Sequence, residues 1–407
     1  MLKTCCVFGL GYIGLPTAIV LAKSGFFVRG VDIKENIVLK INQGKAHFDE
    51  PGLEELLSEV IKNKSFKASL NPCESDIFII AVPTPINENF GKVPSANLKY
   101  VFEAAKNIGK FIRKGNTVII ESTSPVGTTD KVLDIILNES GLSQNDIYLS
   151  YCPERVLPGR IIHELENNNR IIGGINSESA NKTLLIYQAF CKGEIKLTDA
   201  KTAELVKLSE NSYRDVNLAF ANELSIICDR LNINVFELIK FCNLHPRVNI
   251  LNPGCGVGGH CIAIDPLFIV ESAPDITPLI QTARKVNQEK IIWVTNYIFK
   301  CVKKFKNNFL FEPTIGLFGL TFKPDVDDIR ESPAIKIFNA LEEKGLNIIV
   351  SEPNLDNFLS ANILPPEIVR KKADILVILV GHKEFKCLNF ENKYVLDFCG
   401  ISNKKLL

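Results

Sequence analysis

A glycine triplet, Gly9-Leu10-Gly11-Tyr12-Ile13-Gly14, constrains this chain more than any other feature. It follows an apolar run of strand character, Thr4–Phe8, and opens a stretch of helical length and period, Gly14–Ser24. In that setting the glycines let the backbone approach a pyrophosphate, and the helix N-terminus meets phosphate charge with unpaired N–H groups and its positive dipole end. Asp32 closes the next strand-like run, Phe27–Val31. A carboxylate there accepts from a ribose hydroxyl and favours NAD over NADP. The same glycines break the apolar stretch after Lys3 that otherwise imitates a secretory signal. No run reaches the roughly 18 apolar residues that a membrane span needs.

At about 150 residues per domain, 407 residues predict two to three domains. Further strand-like runs at Ile77–Val82, Thr117–Ile120 and Ile147–Ser150 alternate with helical stretches at Ala96–Arg113 and Thr129–Glu139. The fold class is α/β, opening with a doubly wound Rossmann domain built on a parallel sheet. From Asp199 to Leu231 there is no Pro or Gly, and apolar residues recur from 205 to 231 as on a long half-buried helix. Four glycines at 254, 256, 258 and 259 mark a turn-rich segment before a second long helix, Pro278–Lys304, with Lys303, Lys304 and Lys306 at its end. After Pro313 the alternation restarts, with strands at Thr314–Phe318, Asn347–Ser351, Ala373–Val380 and Tyr394–Leu396. A second Rossmann-like domain is expected there, and since it has no second G-x-G-x-x-G it should hold something other than a dinucleotide. The expected domains are 1–197, a helical 198–306, and 307–407.

Forty-seven basic against forty-six acidic residues leave a net charge of +1, so no whole-chain field attracts nucleic acid or anionic membrane. Twelve cysteines are spread along the chain without C-x-x-C spacing, and the five histidines are far apart. These read as reduced thiols in a cytoplasmic protein with no metal site.

Two groups outside the glycine triplet carry chemistry. Lys207, Asn211 and Arg214 share a face of the spine helix. A Lys with an amide stabilises an oxyanion and Arg clamps a polar substrate, whereas Glu204 and Glu210 allow an ion-paired surface face instead. Gly258-Gly259-His260-Cys261, with Asp265 four residues on, places a thiol on a glycine-rich loop. A thiolate is a strong nucleophile, and a buried structural cysteine is the alternative. His260 reads as a packing or hydrogen-bonding residue.

With ESTSPVGT at 121–128, YCPERVLPG at 151–159, the segments 207–222, 245–251 (HPRVNIL) and 257–266 (VGGHCIAIDP), and 322–332, the chain resembles the UDP-glucose/GDP-mannose dehydrogenase superfamily from end to end. The resemblance implies an NAD-binding domain, a helical middle built on a long helix, a C-terminal UDP-binding domain, and a homodimer or higher homo-oligomer. It implies oxidation of a sugar C6 alcohol to a carboxylate with two NAD⁺ reduced, passing through a thiohemiacetal and a thioester on Cys261. Lys207 and Asn211 would stabilise oxyanions, Asp265 and Thr123 would hold water or assist proton transfer, and Glu154 would be the hydrolytic base. For NAD the matching positions are Gly9, Gly11, Tyr12, Ile13, Gly14, Asp32, Thr84, Thr123 and Arg330. For the sugar nucleotide they are Arg155, Val156, Lys207, Asn211, Arg214, His245, Arg247, Gly258, Phe322 and Lys323, with Arg247 or Lys323 possible donors to a neighbouring subunit's site. Where UDP-glucose dehydrogenases place Phe-Leu and a second acid after Pro-Glu, this chain has Arg155-Val156-Leu157-Pro158. That departure resembles the branch acting on 2-acetamido sugars, so a UDP-N-acetyl-hexosamine is expected, UDP-N-acetylmannosamine ahead of UDP-N-acetylglucosamine or UDP-glucose. Cys255 stands where relatives tend to have Pro, and its pairing with Cys261 is left open. Two rivals remain: a single-oxidation β-hydroxyacid dehydrogenase, which shares the Lys-x-x-x-Asn helix but leaves the third domain unexplained, and a non-catalytic nucleotide-sugar sensor.

Overall fold

The computed structural model describes residues 3–87, 94–355 and 363–402. The chain packs as two compact units, Met1–Ser209 with Glu271–Ala273, and Glu210–Val270 with Pro274–Leu407.

The first unit runs β1 (Thr4–Phe8), α1 (Gly14–Lys23), β2 (Phe27–Val31), α2 (Glu35–Asn42), α3 (Leu53–Lys62), β3 (Phe66–Ser69) and β4 (Ile77–Ile80). A small hairpin of β5 (Ile86–Asn87) and β6 (Ser95–Ala96) follows. Then come α4 (Lys99–Gly109), β7 (Thr117–Ile120), α5 (Thr128–Ser140), β8 (Tyr148–Tyr151), α6 (Ile161–Asn167), β9 (Arg170–Gly174), α7 (Ser177–Tyr187), β10 (Ile195–Asp199) and α8 (Ala200–Arg230), which continues into the second unit. Eight strands form one sheet in the order β10-β9-β8-β7-β4-β1-β2-β3. Side chains alternate across a strand, so a strand buried on both faces reads as continuously apolar. Cys5 and Val7 of β1, with Ile77 and Ile79 of β4, enter one core. Cys6, Phe8, Phe78 and Ile80 enter the other. Helices α1, α3 and α7 cover the first face, and α4 and α5 the second.

The sheet departs from the all-parallel expectation at one edge. β8 and β9 pair antiparallel, Ser150 with Gly174 and Tyr151 with Gly173, and β10 then pairs parallel to β9. The stretch 151–198, which the sequence left unassigned, supplies these two reversed strands and α6 and α7.

The second unit contains the rest of α8, α9 (Val235–Cys242), α10 (Asp265–Ser272), whose last residues belong to the first unit, and α11 (Pro278–Phe309). β11 (Ile315–Phe318), α12 (Pro333–Glu342), β12 (Ile348–Ser351), α13 (Pro366–Lys372), β13 (Ile375–Ile378) and β14 (Tyr394–Asp397) complete it. The four strands are parallel in the order β12-β11-β13-β14. β11 has its sequence neighbour on one side and β13 on the other, so a topological switch point lies at its carboxyl end. Helix α11 extends past Lys304, because Val294, Ile298, Val302 and Phe305 keep one apolar face against this sheet. The lysines 303, 304 and 306 therefore lie inside its last turns. On α8, Leu208 and Ala219 are buried as the period predicts, but Phe220 and Ile227 are exposed, as is Leu231 just past its end.

Candidate functional site

The glycine triplet forms the turn between β1 and α1 as expected. Gly9 has φ +89, and a Cβ on Gly14 would stand 1.9 Å from the Gly9 carbonyl oxygen, so neither position accepts a side chain without opening the turn. Above Gly11 there is open space. Helix α1 has no side-chain cap and no acid in its first turn, which leaves its N-terminal dipole to a ligand. Asp32 accepts from the Leu10 N–H (3.1 Å) and the Lys34 N–H (2.9 Å), fixing the carboxylate at the end of β2. Tyr12 is exposed and stacks on Phe48 at 4.3 Å. The Thr84 hydroxyl donates to the Thr123 carbonyl (2.6 Å), joining the loops that follow β4 and β7. These features fit a dinucleotide: a backbone cradle that excludes Cβ atoms, an uncapped helix start, and an oriented acid.

Lys207 is held by the loop after β8, where its Nζ donates to the Glu154 backbone carbonyl at 2.7 Å. The Glu154 carboxylate points elsewhere. It is buried, accepts from the Arg155 N–H (2.7 Å), and pairs with Arg170 at 3.1 Å. Each carboxylate oxygen thus has one fixed donor. Behind it, buried Glu121 accepts from Tyr187 Oη (2.5 Å) and Thr17 Oγ1 (3.2 Å). Burial, reinforced by the Glu154 charge, pushes the Glu121 carboxyl up to about 7. Arg155 donates to the Asn169 carbonyl, and Val156 packs on the first core. Glu204 is not part of an ion-paired surface face. It is fully buried and caps α5, accepting from the Gly127 N–H (2.6 Å), the Thr129 N–H (2.7 Å) and the Thr129 hydroxyl (2.6 Å).

In the second unit, Asn211 Nδ2 donates to Asp265 Oδ2 at 2.5 Å. Asp265 is buried at the start of α10, and its N–H donates to the Cys261 carbonyl (2.8 Å). Cys261 is exposed, whereas Cys255 is buried with its thiol on the Leu379 carbonyl (3.4 Å), and the two are not joined in a disulfide. The glycines of this loop pack on the loop that follows β11: a Cβ on Gly258 would stand 2.5 Å from the Glu331 carbonyl oxygen, and one on Gly259 2.7 Å from the Phe322 ring. The Gly259 N–H donates to the Arg330 carbonyl (3.1 Å). Burial and the Arg214 charge lower the Lys323 pKa, against the opposing pull of Asp328 and Cys261. The fold thus gathers Arg214, Gly258, Cys261, Phe322, Lys323 and Arg330, with Asn211 and Asp265 joined to the Cys261 turn. Arg330 forks onto Asp328 with Nε at 3.0 Å and Nη2 at 2.7 Å. His260 is half-buried, and burial followed by the Arg330 charge lowers its pKa. His245 and Arg247 sit on an exposed turn after α9, with the Arg247 N–H on His245 Nδ1 at 3.3 Å.

No sequence motif marks Arg170 on β9, nor the pair at the carboxyl end of the second sheet. There, buried His382 takes the Asp325 N–H on Nδ1 (3.0 Å) and faces Glu352 Oε2 with Nε2 (3.1 Å). Nδ1 accepts, so Nε2 carries the proton and donates to Glu352. Glu352 in turn accepts from the Leu320 N–H at 2.6 Å, anchoring the loop that bears Phe322 and Lys323. Asp325, His382 and Glu384 place ligand-type atoms within 4.8 Å of one another. Both His382 nitrogens are already engaged, which leaves no lone pair for a metal. No helix among the described residues is long and apolar enough to cross a membrane.

The sequence matches the UDP-glucose/GDP-mannose dehydrogenase family in three consecutive regions: the NAD binding domain at 3–191, the central domain at 201–289 and the UDP binding domain at 316–404. A UDP-N-acetyl-D-mannosamine dehydrogenase of Campylobacter jejuni is 48% identical over 97% of this chain and 98% of its own length. An NDP-N-acetyl-D-galactosaminuronic acid dehydrogenase of Ralstonia nicotianae is 44% identical over 99% and 97%. The native structure of the UDP-N-acetyl-mannosamine dehydrogenase of Staphylococcus aureus superposes with a TM-score of 0.87 at 41% identity, covering 100% of this chain and 97% of that one.

Proposed function

Because this chain belongs to the UDP-glucose/GDP-mannose dehydrogenase family over essentially its whole length, we propose that it oxidises the C6 alcohol of UDP-N-acetyl-D-mannosamine to the carboxylate. The observation that carries the reading is the way helix α8 presents Lys207 and Asn211 one turn apart, each held by a partner of its own. Lys207 rests on the Glu154 carbonyl, and Asn211 on Asp265, whose N–H is tied to the Cys261 turn.

The glycine turn and Asp32 would hold NAD, which would supply the hydride acceptor for each of the two oxidations. The chain's residues supply the rest. Lys207 and Asn211 direct positive charge and an amide donor at oxygen as negative charge develops there. Once the alcohol has given up a hydride, with its hydroxyl proton passing to water, the Cys261 thiol adds across the aldehyde C=O, sulfur to carbon and proton to oxygen, to give a thiohemiacetal. Loss of the second hydride, with the new hydroxyl proton again passing to water, leaves a thioester. Water then cleaves the C–S bond, which releases the carboxylate and returns the thiol. Asp265 and Thr123 are assigned to holding that water. Glu154 is assigned to activating that water as the hydrolytic base, while its backbone carbonyl holds Lys207. Arg155, Val156, Arg214, Gly258, Phe322 and Lys323 are assigned to the sugar nucleotide, with Arg and Lys matched to the diphosphate. His245 and Arg247, exposed on their own turn, are assigned to the site of a second subunit. Arg330 is assigned to NAD.

A homodimer is part of the proposal. Tyr213, Phe220 and Ile227 stand seven residues apart along α8 and are 70%, 56% and 44% exposed, an apolar stripe that a second copy would cover. None of the twelve cysteines is in a disulfide, which supports a cytoplasmic enzyme feeding uronic acid to polysaccharide synthesis.

The test is NADH yield at limiting UDP-N-acetylmannosamine, run beside the N-acetylglucosamine, N-acetylgalactosamine and glucose nucleotides, with the product weighed by mass spectrometry. About two NADH per sugar and a uronate product are expected, with neither from Cys261→Ser. A Cys261→Ser enzyme making uronate at the parental rate would sink the thioester route. Preference for the galacto nucleotide would overturn the substrate.

A further inference from the structure

In the second unit the seam between α8 and α11 is polar where two packed helices are ordinarily apolar. Asp215, Asn222 and Ser225 of α8 and Arg284, Asn287 and Lys290 of α11 are all buried. Arg284 Nη1 donates to Asp215 Oδ1 at 2.7 Å. Asn287 Nδ2 donates to the same oxygen (2.7 Å) and to the Asp215 carbonyl (3.1 Å). Asn287 Oδ1 accepts in turn from Asn222 Nδ2 (2.9 Å), and Asn222 Oδ1 accepts from the Gly254 N–H (2.9 Å). Ser225 donates to the Asn222 carbonyl (2.6 Å) and accepts from Lys290 Nζ (2.7 Å).

Both ends of this relay are fixed by chemistry. A carboxylate only accepts and a peptide N–H only donates, so the two amides between them have one head-to-tail orientation. That orientation turns Asn222 Oδ1 toward the loop that leads, seven residues past Gly254, to Cys261. The loop lies directly on α11: a Cβ on Gly256, at φ +141, would stand 2.8 Å from the Ile291 side chain and 3.1 Å from the Asn287 carbonyl oxygen. Its other holds are the Cys255 thiol on the Leu379 carbonyl and the Gly259 N–H on the Arg330 carbonyl.

We propose that Asn222 and Asn287 are positioning residues for the Cys261 thiol, acting through the Gly254 peptide and the glycine loop. Apolar side chains in these places would join α8 to α11 at least as firmly. They would not select one register of the helix pair, whereas matched donors and acceptors do. Asn222 stands eleven residues along α8 from Asn211, about three turns, so one helix both presents the Asn211 amide and sets where the thiol loop starts.

This inference rests on the dehydrogenase reading, and one of its readouts needs no turnover. Asn222→Leu, the milder Asn222→Ser and the apolar-seam double variant Asn222→Leu/Asn287→Leu are compared with the parent. A misplaced thiol captures less of the aldehyde left by the first oxidation. NADH per sugar should therefore fall from about two toward one, with the aldehyde recovered on semicarbazide, and kcat should drop about tenfold while both KM values stay within about twofold. Loss of folded enzyme alone lowers the rate and leaves the stoichiometry at two. Without substrate, the Lys323 charge acts on Cys261, and a thiolate's reactivity depends on such a neighbour. Iodoacetamide labelling of Cys261, read by peptide mass spectrometry against exposed Cys387 in the same chain, should slow about threefold or more. A folded Asn222→Leu enzyme with a lower melting temperature, two NADH per sugar and parental Cys261 labelling would overturn the proposal. So would an Asn222→Ser enzyme that raises KM for the sugar nucleotide and keeps kcat, because the seam would then serve binding. If the parent makes no uronate, the proposed function fails, and the labelling ratio alone decides the positioning role.

Discussion

Replacing Glu204 with alanine tests how the first turns of α8 hold the start of α5 within the first unit. The carboxylate takes three short hydrogen bonds at the start of α5, from two backbone N–H groups and one hydroxyl. Bonds to a charged group contribute about 1.5–3 kcal/mol each, and backbone donors left buried without a partner add to the loss. The gain is partly offset, because burial raises the Glu204 carboxyl pKa despite those bonds. The three bonds share one group and do not add in full, so about 4 kcal/mol is a fair expectation. At about 2–4 °C per kcal/mol for a unit of this size, the melting temperature should fall by roughly 10 °C. Glu204→Gln should lose about half as much, since its amide NH₂ must face one of the donors. Urea unfolding followed by far-UV circular dichroism measures both variants. Lys207 sits three residues further along the helix, so kcat should drop in the folded alanine variant as well. A Glu204→Ala protein within about 1 kcal/mol of the parent, with unchanged kcat, would refute the reasoning.

Glu121 makes the first unit pH-sensitive. Its folded carboxyl is raised from 4.5 to about 7, so the native state keeps a proton that the unfolded chain gives up between those values. The contribution is full below the unfolded value and is lost as pH rises through about 7, on the order of 3 kcal/mol in all. Glu121→Gln should therefore flatten the fall in melting temperature between about pH 5 and 8; a slope equal to the parent's would remove Glu121 as its source. Gly14→Ala would press a methyl group into the Gly9 carbonyl, costing about 1–3 kcal/mol and reducing NADH affinity at least about tenfold, as read by fluorescence titration; unchanged affinity counts against the cradle. His382→Phe removes the acceptor that holds Asp325, a non-glycine residue at φ 59. Calorimetry should then show UDP binding weakened by about tenfold, and parental affinity would mean that the loop holds its shape without His382.

Local chemistry was legible in the sequence. The strand–glycine turn–helix unit, the ends of β1, β2 and β7, and the restart of α/β alternation after Pro313 all follow from periodicity and backbone freedom over a few residues. The thiol on its glycine loop and the Lys207–Asn211 spacing on one helix belong to the same class, because side-chain direction along a helix needs no knowledge of the rest of the chain. What tertiary structure decided depends on register between distant segments. Neither the apolar content of β9 nor its flanks specify that it runs against β8, yet that reversal brings Arg170 to Glu154. Glu204 read as one half of a surface ion pair until the fold set the start of α5 against it. Cys255 and Cys261 are six residues apart in one glycine-rich stretch, but one is buried against Leu379 and the other exposed. A charge or thiol looks the same in sequence whether it meets water or a buried partner; the desolvation and pairing that fix its role arise only when remote strands and loops close around it.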